Sequence, residues 1–242
     1  MRAAYTLVAA LSSIAAWTAA TVWANDPGPV TARSIGAREV VQASSPEPVL
    51  PPRAATPAGF VPSGWILEEQ QTADLNSDRR RDAVLLLKQQ VTMTAPPRIL
   101  LVALQQPGGQ YTLAEQNRRL IPQIASDSQE DPMANGEILA RQGGFDVMLT
   151  LLAGAGSYQT ATIKYRFRRQ SGCFRLIGYD RLETHRATLD TRDLSVNFLT
   201  GAVVQRTGNE KSEKTDEQHV KLTRNPRRCL GDLGSAADFN PM

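Results

Sequence analysis

The feature that most restricts the fold is a long alternation of apolar and polar residues in the second half of the chain. It runs through "TATIKYRFRRQSGCFRLIGYDRLET", where Ile163, Tyr165 and Phe167 alternate with charged residues. Successive side chains of a β-strand point to opposite faces of a sheet, so this period of two predicts strands with one buried face. The central "QSGC" carries a glycine and predicts a turn. We therefore expect an antiparallel hairpin here.

Further strand-like segments lie on both sides of this hairpin. "DAVLLLK" and "RILLVALQ" are short apolar runs, and "FDVMLTLL", "DLSVNFLTG" and "AVVQRTG" follow later in the chain. Helical patterns are scarce, and "LAEQNRRLIPQIA" suggests one or two helical turns before Pro122. We therefore expect a mainly β fold with little helix. It would be a single antiparallel β-rich domain of about seven to nine strands, arranged as a meander, a sandwich or part of a propeller.

Both ends of the chain lack the patterns of a packed domain. Residues 1–24 combine Arg2, an uncharged apolar stretch and "VWA", which places small residues at the −3 and −1 positions of a cleavage site. Together these features predict a signal peptide. Retention of this leader as a membrane anchor is the alternative interpretation. Residues 25–63 are rich in Pro, Ala and Ser and predict a flexible linker, and residues 230–242 predict a loose tail. The β-rich domain would then span residues 64–229, in a periplasmic or secreted protein without a transmembrane segment after cleavage of the leader.

The chain contains two cysteines, Cys173 and Cys229. Exported proteins mature in oxidising compartments, where two cysteines usually pair. Neither a Cys-x-x-Cys motif nor a pair with zinc-ligand spacing is present, so a redox or zinc role is disfavoured. We expect one disulfide, which would stabilise the fold by about 4 kcal/mol through its effect on the unfolded chain.

The most specific chemical pattern is "DLNSDRRRD", residues 74–82. Its oxygen-bearing side chains fall at the first, third, fifth and ninth positions, as ligands do in calcium-binding loops. These residues are Asp74, Asn76, Asp78 and Asp82. The seventh residue, Arg80, would contribute its backbone carbonyl. The sixth position is usually glycine because the backbone there turns through positive φ, and in this chain it is Arg79.

Two interpretations of this loop remain open. In the first, the four side chains and the Arg80 carbonyl bind calcium, although three arginines bring positive charge close to the ion. In the second, the loop is a structural turn whose carboxylates pair with those arginines or cap backbone N–H groups. An EF-hand is disfavoured in either case, because the twelfth position is Leu85 rather than glutamate and a strand-like run follows the loop.

The loop and the apolar run after it resemble the FG-GAP repeat of integrin-like β-propellers and the related VCBS repeats. In those repeats a D-x-N-x-D-G-x-x-D loop joins two strands and often binds calcium. The pattern occurs once here, and one repeat does not build a propeller. Residues 64–223 also resemble a group of uncharacterised exported bacterial proteins, in which a single D-x-N-x-D-G hairpin opens a β-rich domain. That resemblance implies an exported β-rich domain and carries no activity.

Charge patterning gives weaker indications of a partner. Lys164, Arg166 and Arg168 would form one cationic stripe on the outer face of their strand, either as a solvated surface or as a site for an anionic envelope component. Another exported protein is an alternative partner. The formal net charge of +3 is too small to indicate nucleic-acid binding.

Residues suited to catalysis are few. His185 lies near Glu183 and Asp190 in sequence, which is the basis of an alternative function as an envelope hydrolase. No motif identifies a nucleophile to accompany them. The sequence therefore favours a non-enzymatic binding or envelope-associated module with a degenerate calcium loop.

Overall fold

The computed structural model describes residues 47–124, 129–152 and 159–242, all of which belong to one compact unit. The predicted signal peptide and residues 25–46 of the predicted linker lie outside the described residues. Strands form most of the described structure, and its helical content consists of two short 3-10 turns, Pro57–Phe60 and Leu230–Asp232. The expectation of a mainly antiparallel β fold is confirmed.

The first half of the described chain forms a five-stranded antiparallel sheet in the order β1-β5-β4-β3-β2. Its strands are β1 (Arg53–Ala54), β2 (Trp65–Ala73), β3 (Asp82–Gln89), β4 (Arg98–Gln105) and β5 (Tyr111–Asn117). The central strands β3 and β4 are the two apolar runs noted in the sequence. The segment expected to contain helical turns instead begins as β5, where it pairs with β4.

The second half forms a seven-stranded antiparallel meander in which each strand pairs with its neighbour in sequence. Its strands are β6 (Glu137–Arg141), β7 (Gly144–Leu152), β8 (Gln159–Gln170), β9 (Cys173–His185), β10 (Asp190–Asn197), β11 (Ala202–Asn209) and β12 (Ser212–Lys221). The predicted hairpin is β8–β9, with Ile163 opposite Arg181 and Tyr165 opposite Tyr179. The strand count exceeds the expected seven to nine, because short or polar strands such as β1 and β12 lack apolar alternation.

The two sheets share a core that contains the inward residues of the predicted hairpin. Ile163, Tyr165 and Phe167 are buried there, as their alternation predicts, and they pack with apolar residues of β3 and β4. Aromatic rings fill much of this space. The rings of Phe145 and Phe167 stack with centroids 4.9 Å apart, and Tyr165 meets Tyr179 edge-on at 5.2 Å.

A second core covers the other face of the five-stranded sheet and corrects the predicted linker boundary. Leu50 and Phe60 are buried against Leu85, Leu87 and Ile99 of β3 and β4. Residues 50–60 thus belong to the folded unit, although their sequence shows no periodic pattern. The physical reason is that the β3 run is apolar on both faces, so a second layer must cover the face turned away from the meander.

The predicted loose tail is also part of the core. Leu230, Leu233 and Ala236 are buried, and the amide of Asn117 donates to the carbonyls of Leu230 and Leu233 at 2.6 and 2.9 Å. Further on, the Phe239 ring lies 5.0 Å from the Tyr179 ring. These contacts close the meander over its aromatic core, so the prediction of a loose segment at 230–242 is wrong.

Candidate metal site

The calcium-like loop connects β2 to β3 and is held at several points. Asp82 is the first residue of β3 and lies opposite Ala73, the last residue of β2. Within the loop, the Leu75 side chain is fully buried in the shared core. The Asp74 carbonyl accepts a hydrogen bond from the N–H of Gly143 at 2.8 Å. The loop is therefore a fixed part of the fold.

Three carboxylates of this loop converge. One oxygen from each of Asp74, Asp78 and Asp82 lies within 4.8 Å of the others. Asp82 is fully buried, and its two oxygens accept from the N–H groups of Leu75 and Gln105, each at 2.9 Å. The spacing noted in the sequence thus brings three of the predicted side-chain ligands to one place.

The backbone wraps around the first carboxylate as the ligand spacing requires. Asp74 accepts from the N–H of Asp78 at 3.0 Å and from the N–H of Arg79 at 2.9 Å. Arg79 has φ of 67°, so the sixth position adopts the left-handed conformation that glycine usually provides. Ser77 has φ of 66°. An arginine in this conformation costs of order 1 kcal/mol.

Asp78 is the carboxylate with a cationic partner in the loop. It accepts from Nη2 of Arg80 at 2.6 Å and from the Arg80 N–H at 2.9 Å, and Asn76 donates its amide at 2.8 Å. Burial opposes ionisation of Asp78, but the hydrogen bonds from Arg80 and Asn76 and the Arg80 charge lower its pKa overall. The Arg80 guanidinium also donates to the Gln105 carbonyl at 2.9 Å. These contacts are the ones expected of the structural turn.

Asp82 is different. Burial raises its pKa, and the charges of Asp78 and Asp74 raise it further, against the lowering effect of its two backbone hydrogen bonds. Among the described residues, no cation forms an ion pair with Asp82 or Asp74, so the negative charge of the cluster is balanced only at Asp78. Three converging carboxylates, one of them buried, supply hard oxygen donors that fit a divalent cation such as calcium.

The other residues predicted from the sequence lie in the seven-stranded sheet. A disulfide joins Cys173 and Cys229, with Cα atoms 5.9 Å apart, as predicted. Lys164 lies 3.1 Å from Asp146, and Arg166 lies 3.2 Å from Asp180, whereas Arg168 is exposed at the end of the row. Two of the three cations in the stripe therefore have acidic partners, and its role in anion binding stays a prediction.

The residues of the hydrolase alternative line one open cleft of about 620 Å³, which contains Glu183, His185 and Asp190. Nδ1 of His185 accepts from the N–H of Thr188 at 3.1 Å, and the Thr188 hydroxyl donates to Asp190 at 2.6 Å. These bonds stabilise the turn between β9 and β10. The imidazole and the carboxylate are thus engaged in local structure.

A charged cluster that the sequence did not indicate lies on the same sheet as the loop. The Arg98 side chain is only 1% exposed, and it donates to both oxygens of Glu68 at 2.6 and 2.8 Å and to Asp131 at 2.6 Å. Burial opposes ionisation of Glu68, but Arg98 and Lys88 lower its pKa overall. An arginine at the start of an apolar strand was the available signal, but its partners are 30 and 33 residues away.

Comparisons with protein-family models, curated proteins and solved structures find no match to this chain. The resemblance of the loop to FG-GAP and VCBS repeats therefore stays an expectation drawn from its residues. Separately, the described residues include no helix with the length and apolar character needed to cross a membrane.

Proposed function

We propose that this chain is an exported, non-enzymatic β module whose 74–82 loop binds calcium. The observation that carries the proposal is the buried Asp82 carboxylate, which faces Asp74 and Asp78 within 4.8 Å. An ionised carboxylate that is buried beside two others, as Asp82 is, is costly, and a divalent cation removes that cost. The resemblance to calcium-binding hairpins supports the same function.

The loop would hold the ion through side-chain oxygens and one carbonyl. The side-chain ligands are Asp74, Asn76, Asp78 and Asp82, and Arg80 would provide the carbonyl. Arg80 also sets the affinity, because its guanidinium contacts Asp78 and would have to leave this oxygen or share it with the ion. Competition of this kind predicts weak binding, in the range of about 10⁻⁴ to 10⁻³ M that is typical of extracellular calcium modules.

Two features of the chain support the export that this proposal includes. The leader-like residues 1–24 predict secretion, and the Cys173–Cys229 disulfide suits an oxidising compartment. The surroundings of an exported protein can supply calcium at the concentrations a weak site requires. Binding to an anionic envelope component or to another exported protein is the role we propose for the module.

The test is unfolding of the oxidised protein in about 10–100 mM calcium, a hundred times the expected dissociation constant, and in excess chelator. At a hundred times the dissociation constant, a ligand adds about 2.7 kcal/mol to the free energy of unfolding. Asp78→Ala should lose this gain. Asp193→Ala, which removes a carboxylate from the distant β10, should keep it. Equal stability in calcium and chelator at saturating concentrations would contradict the proposal and leave the loop as a structural turn.

An envelope hydrolase is the second candidate, favoured by the cleft that contains Glu183, His185 and Asp190. It predicts turnover of an ester, peptide or glycan substrate that His185→Ala abolishes without loss of fold. The binding module is preferred, because the hydrogen bonds of His185 and Asp190 to Thr188 already use both side chains in a turn.

A further inference from the structure

A cavity of about 720 Å³ lies where β7 ends and β8 begins. Its walls come from the chain after β5, from β7, β8 and β9, and from the segment after Cys229. Apolar side chains form much of this surface. They are Ile121, Ile124, Leu151, Leu152 and Ala161. A cavity of this size falls in the range that holds small organic ligands.

Three arginines and one glutamate also line the cavity. Arg181 pairs with Glu183 at 2.6 Å, and Arg118 donates to the Pro48 carbonyl at 2.6 Å. Arg119 is exposed, and none of the described residues accepts a hydrogen bond from its guanidinium. The lining residues that the structure describes thus carry two more positive than negative charges, and Arg119 can receive an anionic group.

Arg181 also carries a buried polar atom. Its Nε is buried, and no described residue accepts a hydrogen bond from it. A buried donor without an acceptor favours binding of a group that brings acceptor oxygens.

We infer that this cavity binds a single-chain amphiphile with a carboxylate head. The apolar walls match an alkyl chain, which gains free energy for each methylene removed from water. A carboxylate matches the guanidinium groups in shape and charge, because it accepts two parallel hydrogen bonds. An amphiphile with a cationic head would meet the excess positive charge, and a short carboxylate would leave the apolar walls exposed to water.

This site is independent of the proposed calcium loop. Its lining comes from the strand ends and the segment after Cys229, and residues 74–82 contribute nothing to it. Failure of calcium binding would therefore leave the amphiphile site untouched, and the reverse also holds.

The test is calorimetric titration of the oxidised protein with dodecanoate below its micelle concentration. We expect saturable binding of one molecule per chain, and much weaker binding of dodecyltrimethylammonium and of acetate. Arg119→Gln should weaken dodecanoate binding about tenfold, the effect of losing one charged hydrogen-bond partner. Arg168→Gln is the matched control, because it removes an exposed arginine outside the cavity, and it should bind as the unaltered protein does.

A second variant tests the location of the alkyl chain. Ala161 lies on the cavity wall at 7% exposure, so Ala161→Phe fills space without adding charge. It should abolish dodecanoate binding while the protein still unfolds cooperatively. The inference is overturned if dodecanoate does not saturate one site, if dodecyltrimethylammonium binds equally well, or if folded Ala161→Phe and Arg119→Gln both bind dodecanoate unchanged.

Discussion

Two clusters of charged side chains on the five-stranded sheet differ in how their buried charge is neutralised. In the first, Arg98 lies between Glu68 and Asp131, and each acid contacts the buried guanidinium. In the second, the loop brings Asp74, Asp78 and Asp82 together, but the described guanidinium contact reaches only Asp78. In the first cluster, both acids have a guanidinium partner within the protein. The second leaves a buried acid that a cation from solution can neutralise.

This difference separates a structural role from a ligand-binding role. A buried arginine whose charge is already paired with two carboxylates resists removal of either partner, and it needs no ligand to neutralise its charge. A carboxylate such as Asp82, whose pKa is raised by burial and by neighbouring carboxylates, gains from an incoming metal. The contrast leads to tests of both clusters.

The largest expected effect is the loss of Arg98. Arg98→Ala should lower the free energy of unfolding by about 3–5 kcal/mol, because Glu68 and Asp131 would lose the buried partner that they share. Urea unfolding at neutral pH measures this change. Arg81→Ala is the control, since Arg81 is exposed and its guanidinium contacts the Thr72 hydroxyl; its effect should stay near 0.5 kcal/mol or below, roughly the surface norm. If both variants lost a similar free energy of unfolding, the Arg98 cluster would have no special structural role.

The second effect is the pH dependence of the stability that the protein gains from calcium. The metal requires ionised Asp82, whose pKa is raised in the folded protein without metal. As the pH falls through that raised pKa, the calcium-dependent gain of about 2.7 kcal/mol should decline by up to about 1.4 kcal/mol for each pH unit. Unfolding in calcium and in chelator across the acidic range measures it. A gain that is constant down to strongly acidic pH would exclude Asp82 as a ligand.

A smaller effect distinguishes strain from charge in the loop. Arg79→Gly and Ser77→Gly both place glycine at a positive φ, so each should stabilise the metal-free protein by up to about 1 kcal/mol. Only Arg79→Gly also removes a positive charge, so only this variant should bind calcium more tightly. Chelator unfolding and calcium titration of the pair separate the two contributions. Equal calcium affinity in both variants would show that the Arg79 charge is irrelevant.

The smallest effect is the acid response of Glu68. Its pKa is lowered on folding, so its stabilising contribution is present above the ordinary glutamate pKa and is lost as the pH falls through the lowered value. Asp82 in chelator has the opposite sign, because protonation of a group with a raised pKa favours the folded state. Glu68→Gln should flatten the acid dependence of unfolding, whereas Asp82→Asn should steepen it. If both variants changed the acid dependence of unfolding in the same direction, the opposite pKa shifts of Glu68 and Asp82 would be contradicted.

The sequence predicts those parts of the fold that depend on local patterns. The β8–β9 hairpin follows from the alternation at Ile163, Tyr165 and Phe167, and β3 and β4 follow from their apolar runs. The positive φ of Arg79 follows from its place in the loop. Each of these features depends only on residues that are close to it in the sequence.

Other features depend on contacts between distant segments. Leu50 and Phe60 are isolated apolar residues in a Pro-rich stretch, and their burial follows only once both faces of β3 need cover. Phe239 is likewise isolated, and its place depends on the aromatic surface of β8 and β9. The polar strand β12 lacks alternation because it is an exposed edge. Composition alone predicts a linker or a tail for such segments, because the residues that they pack against lie far away in the sequence.

The packing of residues 229–242 also fixes when the core can be completed. Synthesis is directional, so the strands that carry Tyr165 and Tyr179 leave the ribosome before the segment that covers them. Until Leu230, Leu233 and Phe239 arrive, these strands present an open aromatic surface, and Cys173 lacks its partner Cys229. The core can therefore be completed only after the whole meander and the segment that follows it have been made.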